Sequence, residues 1–215
     1  MATPRAPSKR VVQPLSRRLM LQRAARLTWG GLVLAHASAV RAAADTASSA
    51  TALGGSAALP PELVATLPGA QALGAATLRF LGLDIYAARL WVPNGFNAIT
   101  YAQSPLALEL TYLRALSGQR IAERSLKEMR RQSTLGAAQE QAWLDAMLQA
   151  FPDVKAGDRI SGLHTPGVGA RFWFNAVERP AVRDAEFSRL FFGIWLSEAS
   201  SEPQMRASLL GRRPP

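Results

Sequence analysis

The chain has 215 residues, 25 basic and 15 acidic, for a net charge of +10, and it has no cysteine. The missing thiols exclude disulfide frameworks, thiol nucleophiles and thiolate metal sites. With only two histidines in the whole chain, zinc sites built on several His or Cys ligands are excluded as well.

The first 44 residues carry Arg5, Lys9, Arg10, Arg17, Arg18, Arg23, Arg26 and Arg41 and no acid. They contain SRRLMLQR (Ser16 to Arg23), the apolar run LTWGGLVLAHASAV (Leu27 to Val40), and then RAAAD, with Ala42 and Ala44 spaced as a small-x-small cleavage site. A basic region, a short apolar region and small residues in that order form an export signal, to be set apart from the fold. Ser-Arg-Arg-x-apolar-Leu resembles a twin-arginine signal, which a receptor reads. A membrane-anchoring terminus is the alternative, but the 14-residue run holds two glycines and a histidine, and spanning takes about 20 apolar residues. The expectation is that residues 1–44 engage the twin-arginine export machinery through Arg17 and Arg18. Cleavage between Ala42 and Asp45 then leaves no stable membrane span, and the domain is periplasmic or secreted. Eight of the 25 basic residues and none of the 15 acidic ones precede Asp45, which leaves 17 against 15, a net of +2. The basic balance therefore belongs to the leader and argues for no nucleic-acid partner.

Residues 45–58 are small and polar-to-neutral and read as a flexible linker. Residues 59–211 suffice for one domain with its own core. ATLRF (Ala76 to Phe80) and LDIYAARLWV (Leu83 to Val92) are strands, separated by Gly82. In the second, Leu83, Ile85, Ala87, Arg89 and Trp91 share one face, and Asp84, Tyr86, Ala88 and Leu90 share the other. Asp84 is expected to face away from the helix-covered side, solvated or paired with an arginine. LALELTY (Leu106 to Tyr112) is a third strand, with Tyr112 on its apolar face.

Ser117 caps a helix running to about Gln132. Its inner row is Ile121, Ser125 and Met129 beside Leu126; its outer faces hold Arg120, Glu123, Arg124, Lys127 and Glu128, with Glu123 and Lys127 as an i, i+4 pair. A second helix, Ala138 to Phe151, buries Trp143 or Ala142, Leu144, Met147, Leu148 and Phe151. RISGLHT (Arg159 to Thr165) and ARFWFNAV (Ala170 to Val177) surround the turn PGVG as a hairpin, Phe172 and Phe174 facing one way and Trp173 the other. Asp184 caps an apolar core helix over AEFSRLFFGIWLSE, too short to cross a membrane. A last helix ends the domain, with Ser201 as cap, Pro203 at its start and Gly211 as stop. Grouped strands and helices argue for an α+β fold with a largely antiparallel sheet.

GLDIYAARLWVP (Gly82 to Pro93), LELTYLRALSGQRIAERSLKEM (Leu108 to Met129), FPDVKAGDRI (Phe151 to Ile160), PGVGARFWFN (Pro166 to Asn175) and FSRLFFGIWLSEASSEPQMRASLLG (Phe187 to Gly211) together resemble the chalcone isomerase-like superfamily, and more narrowly its bacterial exported branch. The resemblance implies an open-faced β-sandwich, a large antiparallel sheet covered by helices. It also implies a place for the site. The family's enzymes use an Arg and a Thr on early strands, and a Tyr and an Asn on the helix after an LTG turn, which Leu116 to Gly118 matches here. Carried over, the Tyr falls on Ile121, the Asn on Glu128, the Thr near Ala87, and the Arg on Arg79.

Those substitutions change the chemistry. Ile121 and Ala87 have no hydroxyl, and a negative Glu128 opposes the enolate oxyanion that such a site must stabilise. Flavonoid cyclisation is therefore not expected. The ligand-binding candidates are Arg79, Ala87, Tyr112, Ile121 and Glu128. Arg79 reads either as a cation for a ligand carboxylate, as in fatty-acid-binding members of the superfamily, or as a strand-end arginine reaching water. Tyr112 reads as a donor in a cleft or as a core tyrosine. His164, lacking a recognised acidic partner, reads as structural. The expected protein is a non-catalytic exported domain that binds a small apolar or amphipathic ligand, a fatty acid being one candidate, with no cofactor and no metal. The alternatives are an isomerase or intramolecular lyase using Arg79, Tyr112 or Glu128, and a cell-envelope interaction module.

Overall fold

The computed structural model describes residues 57–212. The export signal and most of the linker fall outside them. Within them one antiparallel sheet runs β1 (Gln71–Phe80), β2 (Leu83–Val92), β3 (Leu106–Tyr112), β4 (Arg159–Thr165), β5 (Gly169–Phe174) and β6 (Val177–Val182), each strand pairing with its neighbours in sequence. The helices are α1 (Pro61–Val64), α2 (Gly118–Met129), α3 (Ala137–Ala150), α4 (Ala185–Leu196) and α5 (Pro203–Leu209). This is the α+β, helix-covered sheet that the sequence predicts.

Strand alternation sorts side chains into two cores. Ala88, Leu90, Val92, Leu106, Leu108, Leu110, Tyr112 and Phe172 point at the helices and join Leu126, Met147, Phe187 and Phe191 in the main core. Trp91, Ala107, Leu163 and Trp173 point the other way, under Leu63 of α1 and Leu67. The helix-covered face of β2 is thus the Tyr86, Ala88 and Leu90 face, the reverse of the expected one. Asp84 lies on the far side of a register shift in the β1–β2 ladder and pairs in the open with Arg79.

The aromatic residues of α4 stand at the centre of the main core. Phe187 and Phe191 stack at 5.5 Å, and Phe172 of β5 meets Phe191 edge-on at 5.2 Å. Asp184 caps α4 as predicted, Oδ1 accepting from the Phe187 N–H at 3.0 Å, while Oδ2 accepts from the Trp143 indole of α3 at 2.9 Å. Ser117 caps α2, its hydroxyl accepting from the Arg120 N–H at 3.3 Å. The last helix departs from expectation. Its cap position is Glu202, not Ser201, and the side chain that turns the chain there is Ser200, which accepts from the Glu202 N–H at 3.2 Å. In α3, Leu148 is exposed, because Trp143, Met147 and Ala150 already fill the face against the core.

β6 is the element that sequence reading misses. Pro180 in its middle demotes the run, but β6 is an edge strand, where a residue without N–H is tolerated. Asn175 and Ala176, both at positive φ (48° and 68°), make the two-residue turn that returns the chain into it.

Candidate ligand cavity

A cavity of about 280 Å³ opens between the helix-covered face of β1–β4 and helices α2, α4 and α5. Its walls are apolar, from Leu78, Leu110, Ile160, Phe191, Ile194 and Met205 among others. Its size lies close to the lower end of small-molecule sites, about 300–1,000 Å³. Polar groups enter from two directions, as tyrosines from the sheet and as charged side chains from α2 and the start of α5.

The tyrosines are Tyr86 and Tyr112, cross-strand partners in the β2–β3 ladder, with their rings edge-to-face at 5.9 Å. The Tyr86 hydroxyl accepts from the Trp195 indole at 3.0 Å. Among the described residues nothing hydrogen-bonds the Tyr112 hydroxyl, although Tyr112 is only 2% exposed. Burial pushes both phenols well above the ordinary tyrosine range. They stay protonated and can donate into an apolar space, where a hydrogen bond is stronger than in water.

The charged side is Glu128, which α2 turns inward rather than outward. It is 6% exposed. Its Oε1 meets Arg124 Nη2 at 2.8 Å, and its Oε2 stands 3.6 Å from Arg131 Nε. Oε2 is buried with no hydrogen-bond partner among the described residues. A carboxylate removed from water needs such cationic neighbours. The expected Glu123–Lys127 pair is replaced by Arg124–Glu128, and Glu123 instead accepts from Gln119 Nε2 at 2.8 Å.

Three of the five predicted site residues, Tyr112, Ile121 and Glu128, line this one cavity. Two do not. Ala87 sits on the strand face shared with Trp91, turned from the helices. Arg79 is exposed and donates to Asp84 at 2.7 Å, because strand alternation turns it away from the cavity that Leu78 and Phe80, on either side of it, line. Tyr86, Trp195 and Arg206 line the cavity and went unpredicted. Tyr86 was within reach of the sequence, because its alternation with Ala88 and Leu90 marks an apolar face; its pairing with Tyr112 needs the strand register.

His164 is structural, as expected. It is 1% exposed; its Nε2–H donates to the Ala102 carbonyl at 3.0 Å, and its Nδ1 meets the Ser188 hydroxyl at 2.6 Å. Among the described residues no cluster of His, Asp and Glu is arranged to hold a metal ion, and no helix is long and apolar enough to cross a membrane.

The family profile described as chalcone isomerase-like matches residues 71–211. The chain belongs to the chalcone isomerase-like family. Among solved structures, the fatty-acid binding protein of Arabidopsis thaliana is similar, with 13% identity and a TM-score of 0.54 over 67% of this chain and 88% of that one. At that identity the likeness is one of fold. No curated protein sequence matches the chain. Within the family's fold, the helix after the Leu-Ser-Gly turn walls a cavity, as the sequence resemblance implies, but the side chains it supplies there are Arg120, Ile121, Arg124, Ser125 and Glu128.

Proposed function

We propose that this chain binds a small apolar or amphipathic molecule, such as a fatty acid, and does not transform it. One observation carries the reading: an apolar cavity about 280 Å³ in volume lies between sheet and α2, and the position at which the family's enzymes place a tyrosine hydroxyl holds Ile121. The fatty-acid binding function of a protein of the same fold supports it. In this reading the tail lies along Leu110, Ile160 and Phe191. The polar end meets the phenol protons of Tyr86 and Tyr112 inside or the arginines Arg120, Arg124 and Arg206 at the rim. Native mass spectrometry of protein isolated from its own host, with displacement of a fluorescent fatty-acid probe, tests this. Ligand-free protein that takes up no fatty acid in titration would rule it out.

A second reading, an intramolecular lyase or isomerase, is favoured by the two protonated phenols facing an apolar space, where they could steady an enolate oxygen. Glu128 weighs against it. Decay of chalcone absorbance, compared between the wild-type chain and Tyr112→Phe, separates the two.

The leader supports export through the twin-arginine route to the periplasm or beyond. Replacing Arg17 and Arg18 by lysine and following the chain by cell fractionation tests that; unchanged export would refute the route.

A further inference from the structure

The β1–β2 hairpin ends in Phe80, Leu81, Gly82 and Leu83. Phe80 is 53% exposed, Leu81 84% and Leu83 49%. Leu113, 45% exposed, stands beside them, because its N–H donates to the Ile85 carbonyl at 2.9 Å. Large apolar side chains gathered at one projecting tip mark a contact surface. The turn itself points the same way. Leu81 and Gly82 both have positive φ, 50° and 77°, the geometry that favours Asn-Gly or Asp-Gly. Folding alone would put asparagine at position 81; the chain instead holds a leucine in a left-handed conformation and turns it to solvent. Strain of that kind collects at functional positions.

The tip stands at the mouth of the cavity, which Phe80 and Ile85 line together with Arg120 and Arg124 of α2. Arg114 follows Leu113 directly. The acids here are Glu128, paired with Arg124, Glu202 on the cavity, and Asp84 beside Leu83, which is paired with Arg79. Apolar side chains at the point with arginines behind them match a bilayer, acyl chains below and anionic headgroups above. We propose that the Phe80–Leu83 tip inserts into the surface of an anionic phospholipid bilayer and sets the cavity mouth against it. Docking itself does not depend on what the cavity holds.

The chain has no cysteine, so a single introduced one reports on a single place. Leu81→Cys in the full chain, carrying an environment-sensitive fluorophore, is mixed with phosphatidylethanolamine–phosphatidylglycerol vesicles whose acyl chains are brominated. Interfacial segments bury about 5–10 Å into the headgroup–acyl boundary, so the bromines should quench the label by roughly half or more. The comparison is Val177→Cys, 65% exposed where β6 begins, which should stay unquenched. The basic residues 1–44 can hold the chain to anionic vesicles by themselves, so position-specific quenching decides and bulk binding does not. A label at Leu83→Cys should lose its quenching when Leu81→Asn, which suits the turn, is added. Absent quenching at position 81, or equal quenching at 81 and 177, overturns the proposal. A concentration-dependent blue shift without vesicles also overturns it, by showing that the tip covers itself with a second copy.

Discussion

The Trp195 indole N–H donates to the Tyr86 hydroxyl at 3.0 Å, and this bond ties α4 to β2 beside the cavity. Removing the acceptor strands a buried donor, which costs about 1–3 kcal/mol. Tyr86→Phe should therefore lower the urea midpoint with an unchanged slope, the mark of a stability change without a change in the denatured state. A midpoint equal to wild type would show that the indole finds another acceptor.

Tyr112→Phe should behave in the opposite way. No described residue hydrogen-bonds its hydroxyl, so folding loses little when it goes. If that hydroxyl holds the polar end of the ligand, the neutral hydrogen bond lost is worth about 1 kcal/mol, or roughly five- to tenfold in affinity. Probe displacement alongside thermal melting checks both halves. A large fall in melting temperature would mean that the hydroxyl serves the core.

Ile121→Trp tests the cavity as a container. Ile121 is half-buried and lines the space from α2. A larger ring there should take up the volume and abolish uptake of a fatty-acid probe, while the circular dichroism spectrum stays as in wild type. Undiminished uptake would place the ligand elsewhere.

Much of this architecture can be read from the chain, for a physical reason. LALELTY alternates cleanly, Ser117 and Asp184 are strong caps, and such local rules survive folding; LDIYAARLWV is a strand as read, but its covered face is the opposite one and its start is irregular. The failures fall where one residue's role depends on a distant partner. Glu128 follows the exposed Lys127 on a helix rich in charges, so by pattern alone it reads as a surface residue until the sheet is placed beside it. Pro180 looks like a strand breaker until β6 proves to be an edge. Arg79 leaves the site because β1 alternates through it, Leu78 and Phe80 lining the cavity and Arg79 facing the other way; nothing local signals which face of β1 the helices cover. Ile121 lines the cavity, and its place on α2 is legible because the Leu-Ser-Gly turn fixes where the helix begins.

Gly118 begins that helix under close constraint. Its N–H donates to Asp153 Oδ1 at 2.8 Å, and a Cβ on it would run into the Phe151 carbonyl. The obstruction is backbone at the end of α3, so it cannot turn aside as a side chain would. Gly118→Ala should push α2 from α3 and destabilise the domain by about 1–3 kcal/mol, as overpacked sites do. It should also loosen the cavity, since Ile121 and Ser125 move with the helix. Thermal melting and probe affinity measured together check this, and wild-type values in both would show that the helix start can shift without consequence.

His164 sets an acid-side limit on stability. Burial holds its imidazole below the usual 6.5, against a smaller upward pull from the Ala102 carbonyl. Below pH 6.5 the unfolded chain takes up a proton that the folded chain resists, so the unfolded state binds more protons and stability rises with pH. The contribution is complete above pH 6.5 and is lost as pH falls from there towards the lower folded value. The carboxylates act further down. Asp158, held low by hydrogen bonds from the Asn175 side chain and the Lys155 N–H, loses its contribution only as pH falls from about 3.8. The urea midpoint of the wild-type chain should therefore decline between pH 7 and pH 5. His164→Gln, which keeps a donor and an acceptor but does not titrate in that range, should start lower and stay flat. Parallel slopes for the two chains would show that another group governs the window.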